Sequence, residues 1–181
     1  NDSVRSARYI KINAHKYFKN YDNSIWMDCR LSPKFLDSNV IINSHLSNNY
    51  NIAFFKHYCR NCIYEEANEI IKLKKDYQNI VNLQMEKYRN DNYPSNNGLF
   101  ETGFLIRDHN NPKIIDLMMK WWEEVNNFSR RDQLSINYLV NKNNIKYNYV
   151  YNDNGEHMNI RKNKYVTLVK HLCRKNQKIK N

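Results

Sequence analysis

Glycine and proline are scarce in this chain of 181 residues, which contains only three of each. The sequence has neither the glycine-rich fingerprint of dinucleotide-binding folds nor a P-loop, and no Ser-His-Asp order suggests a hydrolase triad. No apolar run approaches the roughly 20 residues that a membrane-spanning helix needs, and the N-terminus does not resemble a signal peptide. The sequence therefore favours a cytoplasmic protein, with peripheral membrane association as the alternative.

Cysteine is also infrequent, with four residues at Cys29, Cys59, Cys62 and Cys173. A small secreted domain held by disulfides would be denser in cysteine. The Cys59-x-x-Cys62 pair, together with His57 and a His171-x-Cys173 pair near the C-terminus, offers ligands for zinc. A single CxxC pair is a weak zinc signal, so reduced and partly buried thiols are the favoured interpretation.

The composition is that of one globular domain, with 41% hydrophobic and 26% charged residues. A formal net charge of +11 raises nucleic-acid binding as a hypothesis. However, the chain is rich in Asn, Lys, Tyr and Ile, which indicates a low-GC coding bias that raises the lysine content without a functional cause. The basic residues are dispersed except after Arg161, so the charge is weak evidence for a nucleic-acid partner.

Helical and strand-like patterns alternate along the chain. Helices are predicted at residues 3–18, 33–46 (with a loop), 62–88 (with a bend), 111–125 and 129–140, and strands at 24–28, 52–55, 100–107 and 147–151. The first helix places Arg5, Arg8, Lys11 and Lys16 on its polar face. This alternation predicts an α/β layer fold over residues 1–160, and residues 161–181 form a basic tail that is expected to fray or lie along the surface.

Polar side chains follow several of the predicted strands. Asp28 ends the first strand and precedes Arg30; a carboxylate at such a strand end is where α/β folds place their chemistry, although Asp28 could simply open a turn. We expect the strand-end side chains to converge on one edge of the sheet, namely Asp28, Lys56, His57, Glu101 and Arg107.

The strand-to-helix turn that starts at Lys56 concentrates charge. Lys56, His57 and Arg60 could bind a phosphate or a sugar-acid carboxylate at the start of the helix. Glu65 and Glu66 could bind sugar hydroxyls. Spacing alone favours a simpler interpretation, in which acidic first-turn residues stabilise the helix and the basic residues are solvated.

Two later segments offer further candidates. Gly98 and Gly103 flank Glu101, which indicates either close approach by a ligand or an ordinary loop and bulge. Asp132 could act as a base at a helix start, or could form a capping box with Ser129. Because neighbouring Trp residues cannot both face inward, one of the pair at 121 and 122 is expected to border a cleft.

Taken in order, the motifs resemble a known family. They are Ser-Ile-Trp-Met-Asp, Phe-Lys-His-x-x-Arg-x-Cys-Ile-Tyr-Glu-Glu-Ala, Glu-Thr-Gly-Phe-Leu-Ile-Arg-Asp-His-Asn, Trp-Trp-x-Glu-Val and Ser-x-Arg-Asp-Gln-Leu-Ser. Over roughly residues 7–138 this succession resembles the glycosyltransferase-like family of plant TOD/MUCI-type and of bacterial and viral polysaccharide-locus proteins. The resemblance implies a GT-A-like three-layer α/β fold, with a central mixed sheet flanked by helices. Members usually have further N-terminal strands, so the expectation is either a fragment that lacks them or incomplete donor binding.

The resemblance also implies transfer of a sugar from a nucleotide-sugar donor to a glycan acceptor. It places Asp28 near the donor diphosphate and a divalent metal, Mn²⁺ or Mg²⁺, although Asp-Cys-Arg is not the Asp-x-Asp of metal-dependent enzymes. Donor-binding candidates are Asp28, Arg30, Lys56, His57, Arg60 and Arg131. Sugar-binding candidates are Glu65, Glu66, Thr102, Gln133 and Trp122, and the base is Asp132 or Glu101.

Two other functions remain open at this point. A glycan-binding domain without catalytic activity is the first alternative, because part of the donor pocket could be missing. A basic nucleic-acid-binding module is the second and is ranked last, since strand-end carboxylates would repel phosphates unless a metal intervened.

Overall fold

The computed structural model describes residues 2–34, 37–47 and 49–169. Its helices are α1 (Ser3–Ile12), α2 (Ala14–Tyr17), α3 (Ser38–His45), α4 (Ile63–Lys72), α5 (Gln78–Asn90), α6 (Pro112–Asn127) and α7 (Gln133–Lys142). Its strands are β1 (Asn23–Met27), β2 (Leu31–Pro33), β3 (Ile52–Lys56), β4 (Phe100–Asp108), β5 (Asn148–Tyr149) and β6 (Val166–Leu168). The predicted order of alternating helices and strands is confirmed for most of these elements.

A mixed four-stranded sheet, in the order β1-β4-β3-β5, forms the centre of the fold. The long strand β4 is antiparallel to both of its neighbours, whereas β5 is parallel to β3. The register of β3 on β4 shifts, because Phe54 faces Leu105 and Phe55 faces Glu101. Three residues of β4, including Gly103, therefore lie between two adjacent pairs, as in a bulge.

Two hydrophobic layers cover the two faces of this sheet. Phe54, Phe100 and Leu105 pack against the layer of α1 and α4 to α7, where Trp121 is fully buried. On the other face, buried side chains of the sheet pack against α3, β2, β6 and the segment between β5 and β6. The predicted arrangement of a mixed sheet flanked by helices is thus confirmed.

Side-chain caps mark the starts of α1, α3 and α6. Asn111 accepts a hydrogen bond from the Lys113 amide and Pro112 occupies the first turn of α6, as the sequence predicts. The expected helix at 62–88 is two helices, separated by a turn in which Lys74 has a φ of 51°. The first helix is likewise divided at Asn13.

The capping box predicted at Ser129 is wrong. The Ser129 hydroxyl donates to the Asp76 carboxylate at 2.7 Å, and α7 begins only at Gln133. The side chain of Asp132 turns into the protein, where it contacts Lys11. A buried ion pair between distant segments has replaced the local cap.

The two-stranded sheet of β2 and β6 was not predicted. Pro33 was expected to begin a helix, but it ends β2 and lies opposite Val166. The segment after Arg161 was expected to fray or lie along the surface, yet Tyr165 is buried and its hydroxyl lies 2.9 Å from His45 Nε2. Residues 170–181, and with them the predicted zinc ligands His171 and Cys173, lie outside the described residues.

Arg107 does not join the other strand-end side chains, because β4 runs antiparallel to β1 and β3 and so ends at the opposite side of the sheet. Its buried guanidinium donates to the carbonyl oxygen of Lys11 at 2.5 Å and to the Ser24 hydroxyl at 3.1 Å. Arg107 therefore ties the end of α1 to the sheet. Within the described ranges, no helix has the length and hydropathy needed to cross a bilayer.

Candidate active site

Two carboxylates meet at the end of the sheet where β1 finishes and β4 begins. The Asp28 amide donates to the Gly103 carbonyl at 2.8 Å, which fixes Asp28 directly after β1. A Cβ atom placed on Gly103 would lie 3.6 Å from Asp28 Oδ2 and 3.6 Å from Glu101 Oε1. Gly103 therefore lies between the two acidic side chains, and the Cδ1 atom of Ile160 is 3.0 Å from the same Cβ position.

Asp28 is held but not buried. Trp26 Nε1 donates to its Oδ1 at 2.7 Å, and the side chain retains 27% exposure. Arg8 Nη1 lies 3.7 Å from the same oxygen, beyond ordinary hydrogen-bonding distance. One carboxylate oxygen of Asp28 is therefore oriented by the protein, while the other faces the space over Gly103.

Asp132 occupies a different environment behind the sheet end. Lys11 Nζ donates to Asp132 Oδ2 at 2.6 Å and to the Thr102 carbonyl oxygen at 2.5 Å, and Arg8 Nε lies 3.3 Å from Asp132 Oδ1. Burial alone would raise the pKa of Asp132, but the charges of Lys11 and Arg8 outweigh it and hold that pKa below its usual value. A carboxylate with so low an affinity for protons is suited to structure more than to base catalysis.

The pKa of Glu101 is shifted in the opposite direction to that of Asp132. Burial raises its pKa, with the nearby charges of Glu66 and Asp28 adding to the effect and Lys11 and the Gly103 amide opposing it. Its Oε2 lies 3.8 Å from His57 Nε2. Asp132 and Glu101, the two candidate bases, thus have pKa values displaced in opposite directions, a pattern that separates a structural from an acid–base carboxylate.

The turn after β3 arranges His57 beside Glu101. His57 Nδ1 accepts a hydrogen bond from the Arg60 amide at 3.0 Å, so the ring proton resides on Nε2, which faces Glu101. Burial, assisted by the charges of Arg60, Arg161 and Lys75, lowers the pKa of His57 to about 4. His57 is therefore a neutral hydrogen-bond donor at neutral pH.

The remaining candidates are divided between this region and others. Arg60 Nε donates to the buried Glu66 carboxylate at 2.6 Å, so these two residues form an ion pair beside His57. Three candidates are exposed to solvent, namely Arg30, Lys56 and Glu65, and Arg131 is partly buried. Thr102 is buried, and its hydroxyl lies 3.3 Å from Asp132 Oδ1.

Trp122 lies apart from the sheet end. Its ring packs edge-on against Tyr9, with centroids 4.8 Å apart, and lines a shallow groove between α1 and α6. Gln133, by contrast, shares a helix face with Asn137, whose side chain accepts a hydrogen bond from the Phe100 amide at the start of β4. Gln133 is buried, and within the described part of the chain its Nε2 has no hydrogen-bond partner.

Sequence reasoning missed four residues of this region. Arg8 and Lys11 were assigned to a polar helix face, yet they lie against the sheet end; their three-residue spacing upstream of Asp28 is the signal that could have identified them. Ile160 Cδ1 lies 3.0 Å from the Cβ position at Gly103. The Arg161 guanidinium carbon lies 3.7 Å from the centroid of the Tyr58 ring. The segment after β5 thus covers one side of the site.

The carboxylates were also tested as a metal site. Among residues 2–34, 37–47 and 49–169, no group of three or more His, Cys, Asp or Glu side chains is arranged to hold a metal. Mg²⁺ needs only one or two protein carboxylates when substrate phosphates supply other oxygens. The outward oxygen of Asp28 fits that role, with Glu101 as its neighbour across Gly103.

The contact of Arg161 with the Tyr58 ring leads to a first prediction, which concerns the pKa of His57. Replacing Arg161 with Ala removes one of the positive charges that lower the pKa of His57 and opens the turn to water. We expect the pKa of His57 to rise from about 4 toward its usual value of 6.5, as measured by NMR titration of the ring protons. Lys162→Ala is the control. If the pKa of His57 were unchanged in Arg161→Ala, the segment around Arg161 would have no influence on the site.

Comparison with known proteins gives one match. A family model described as TOD1/MUCI70, glycosyltransferase-like domain, matches residues 1–171. The comparison with curated proteins gives no match, and neither does the comparison with solved structures. The matched range includes both strand-end carboxylates and the segment around Arg161.

Proposed function

Since the chain belongs to the TOD1/MUCI70 glycosyltransferase-like domain family, we propose that it transfers a sugar from a nucleotide-sugar donor to a hydroxyl group of a glycan acceptor. The observation that carries this proposal is the pair of carboxylates around Gly103, of which Glu101 has a raised pKa. Such a pair suits a reaction that must hold a charged donor and also remove a proton. The proposal includes a cytoplasmic location, with peripheral membrane association as the alternative.

On the donor side, Asp28 would hold the diphosphate through a divalent cation, Mg²⁺ or Mn²⁺. The cation would offset the negative charge of the diphosphate. Arg30 and Lys56 are exposed and free to approach donor phosphates, and Arg131 is a further candidate. Arg60 contributes less to this side, because Glu66 balances its charge at 2.6 Å.

On the acceptor side, we assign the base to Glu101 and not to Asp132. In an inverting transfer, the acceptor oxygen forms a bond to the anomeric carbon, its proton passes to the Glu101 carboxylate, and the nucleoside diphosphate leaves with the electron pair of the broken bond. The raised pKa of Glu101 favours acceptance of that proton, and the neutral His57 ring lies beside the carboxylate, with Nε2 3.8 Å from Glu101 Oε2. Asp132 instead keeps Lys11 and Thr102 in place.

Sugar recognition is assigned to polar groups with spare hydrogen-bonding capacity. Gln133 Nε2 is buried without a hydrogen-bond partner in the described ranges, and such groups are uncommon unless a ligand or water satisfies them. Glu65 is exposed and Glu66 retains a second carboxylate oxygen beside its contact with Arg60. Thr102 and Trp122 support the proposal less, because one is bonded to Asp132 and the other lies between α1 and α6.

The direct test is nucleotide binding by calorimetry. We would titrate UDP and GDP, and then their sugar conjugates, into the wild type and Asp28→Asn with and without Mn²⁺. We expect metal-dependent binding to the wild type and at least a tenfold weaker association with Asp28→Asn, because one negatively charged ligand is lost. Asp116→Asn, which alters an exposed carboxylate on α6, is the matched control.

Other outcomes distinguish the alternatives. Equal metal-dependent binding by Asp28→Asn and the wild type would remove Asp28 from the donor site. Affinity for glycans without affinity for any nucleotide would favour a glycan-binding domain. Binding of nucleic acid that weakens steeply with salt and ignores Asp28 would favour the basic module.

A further inference from the structure

Arg8 lies between the two carboxylates at the end of the sheet. Its Nη1 is 3.7 Å from Asp28 Oδ1 and its Nε is 3.3 Å from Asp132 Oδ1, while the side chain is only 14% exposed. Within the described residues, the buried Nε makes no hydrogen bond of acceptable geometry. Arg8 is thus a largely buried cation whose Nε donor makes no hydrogen bond within the described residues.

The two carboxylates do not depend on Arg8 for their hydrogen bonds. Asp132 already accepts from Lys11 at 2.6 Å, and Asp28 accepts from Trp26 at 2.7 Å. Lys11 is fully buried and committed to Asp132 and the Thr102 carbonyl oxygen, so it has no free direction toward a ligand. A guanidinium has five N–H donors in a planar fork, and those of Arg8 next to Asp28 remain available.

Arg5, one turn earlier on α1, provides a useful contrast. Its guanidinium donates to Asp2 at 2.6 Å and to the carbonyl oxygens of Val125 and Phe128 at 3.0 and 2.8 Å. Arg5 is therefore a structural residue that joins α1 to the end of α6. Arg8 has the same side chain on the same helix, but its ion pairs with Asp28 and Asp132 are longer, at 3.7 and 3.3 Å.

We propose that Arg8 binds the diphosphate of the donor and stabilises the leaving nucleoside diphosphate. This inference rests on the proposed function. When the bond between the anomeric carbon and the diphosphate oxygen breaks, the electron pair stays on that oxygen, and Arg8 donates hydrogen bonds to the charge that develops there. The acceptor proton goes to Glu101, so Arg8 remains protonated throughout.

The charges at the sheet end support this assignment. Asp28 alone would repel a diphosphate, and Lys11 is balanced by Asp132 at 2.6 Å. Arg8 supplies a positive charge next to Asp28, in a position that is sheltered from water. Arginine forks match phosphate oxygens in pairs, and such charged hydrogen bonds are stronger than neutral ones.

Inorganic pyrophosphate is the probe that isolates this contact, because it carries the diphosphate without a base or sugar. We would measure its binding by calorimetry to the wild type, Arg8→Gln and Arg8→Lys, with Lys16→Gln as a control that removes one exposed charge from α2. We expect Arg8→Gln to bind about 10- to 100-fold more weakly, the loss typical of charged hydrogen bonds. Arg8→Lys should be intermediate and Lys16→Gln within about twofold of the wild type.

Kinetics separate this inference from the proposed function. In a nucleotide-release assay with the donor that binds the wild type, Arg8→Gln and Arg8→Ala should lower kcat. Millimolar guanidinium should restore part of the lost kcat to Arg8→Ala and leave the kcat of Lys16→Ala unchanged. A wild type that neither transfers nor hydrolyses any donor would contradict the proposed function. If the wild type is active and Arg8→Gln matches its kcat and pyrophosphate affinity, the role of Arg8 alone is overturned.

Thermal melting checks that each variant is folded. An equal loss of kcat in Arg8→Gln and Arg8→Ala, without rescue by guanidinium, would indicate that Arg8 is only structural.

Discussion

Replacing Glu101 with Gln is expected to reduce kcat about 100- to 10,000-fold, the usual contribution of a positioned general base. The amide keeps the shape of the side chain and its place beside Gly103, but it does not accept the proton of the acceptor hydroxyl. Binding of the donor should change little, because Asp28 remains. The measurement is a steady-state comparison of kcat and KM for the wild type and Glu101→Gln, with the exposed Glu86→Gln as the control.

The pH dependence gives this prediction an independent test. A base must be deprotonated to act, so the wild-type rate should rise with pH through a midpoint above the ordinary glutamate pKa of about 4.3, because burial and neighbouring acids raise the pKa of Glu101. His57, with a pKa of about 4, is already neutral there and adds no second transition near neutral pH. If Glu101→Gln retained both the wild-type kcat and the same acidic limb, another residue would be the base.

The sequence reveals the central strands because their signal is local. β3 and β4 carry apolar residues at buried positions. Asp28 follows a strand and Glu101 lies at the start of one, so both could be selected from the sequence as candidate functional residues. The direction of β4 in the sheet was not visible, because the alternation of buried and exposed residues along a strand is the same whichever way the strand runs. Arg107 was consequently placed with the other strand-end residues, although it caps α1 at the far side.

The remaining features could not be predicted from the sequence because they depend on pairing between distant residues. β2 and β6 have only three residues each and pair across more than a hundred intervening positions, so neither has a periodic signal of its own. Lys11 looks like part of a solvated helix face because its partner, Asp132, is 121 residues away. A buried cation is recognised only when its counter-charge is known, and that information belongs to the tertiary structure.

The same pair leads to the largest expected effect on stability. Lys11→Met should lower the free energy of unfolding by about 3–5 kcal/mol, because it leaves the carboxylate of Asp132 buried without its closest cation. Urea denaturation at neutral pH measures the change, and Lys16→Met, at an exposed position on the neighbouring helix, should differ little from the wild type. The double variant Lys11→Met/Asp132→Leu should recover part of the loss, because it removes the unpaired charge.

Acid titration distinguishes this explanation from a packing defect. In the wild type the pKa of Asp132 is lower when the chain is folded, so its stabilising contribution is present above the unfolded value of about 3.9 and is lost as the pH falls through the folded value. In Lys11→Met the buried carboxylate gains stability when it is protonated. The difference in unfolding free energy between the two proteins should therefore shrink from pH 7 to pH 4, whereas a cavity left by the lysine stem would cost the same at both. A constant difference would mean that Lys11 stabilises the fold through the packing of its stem and not through its pairing with Asp132.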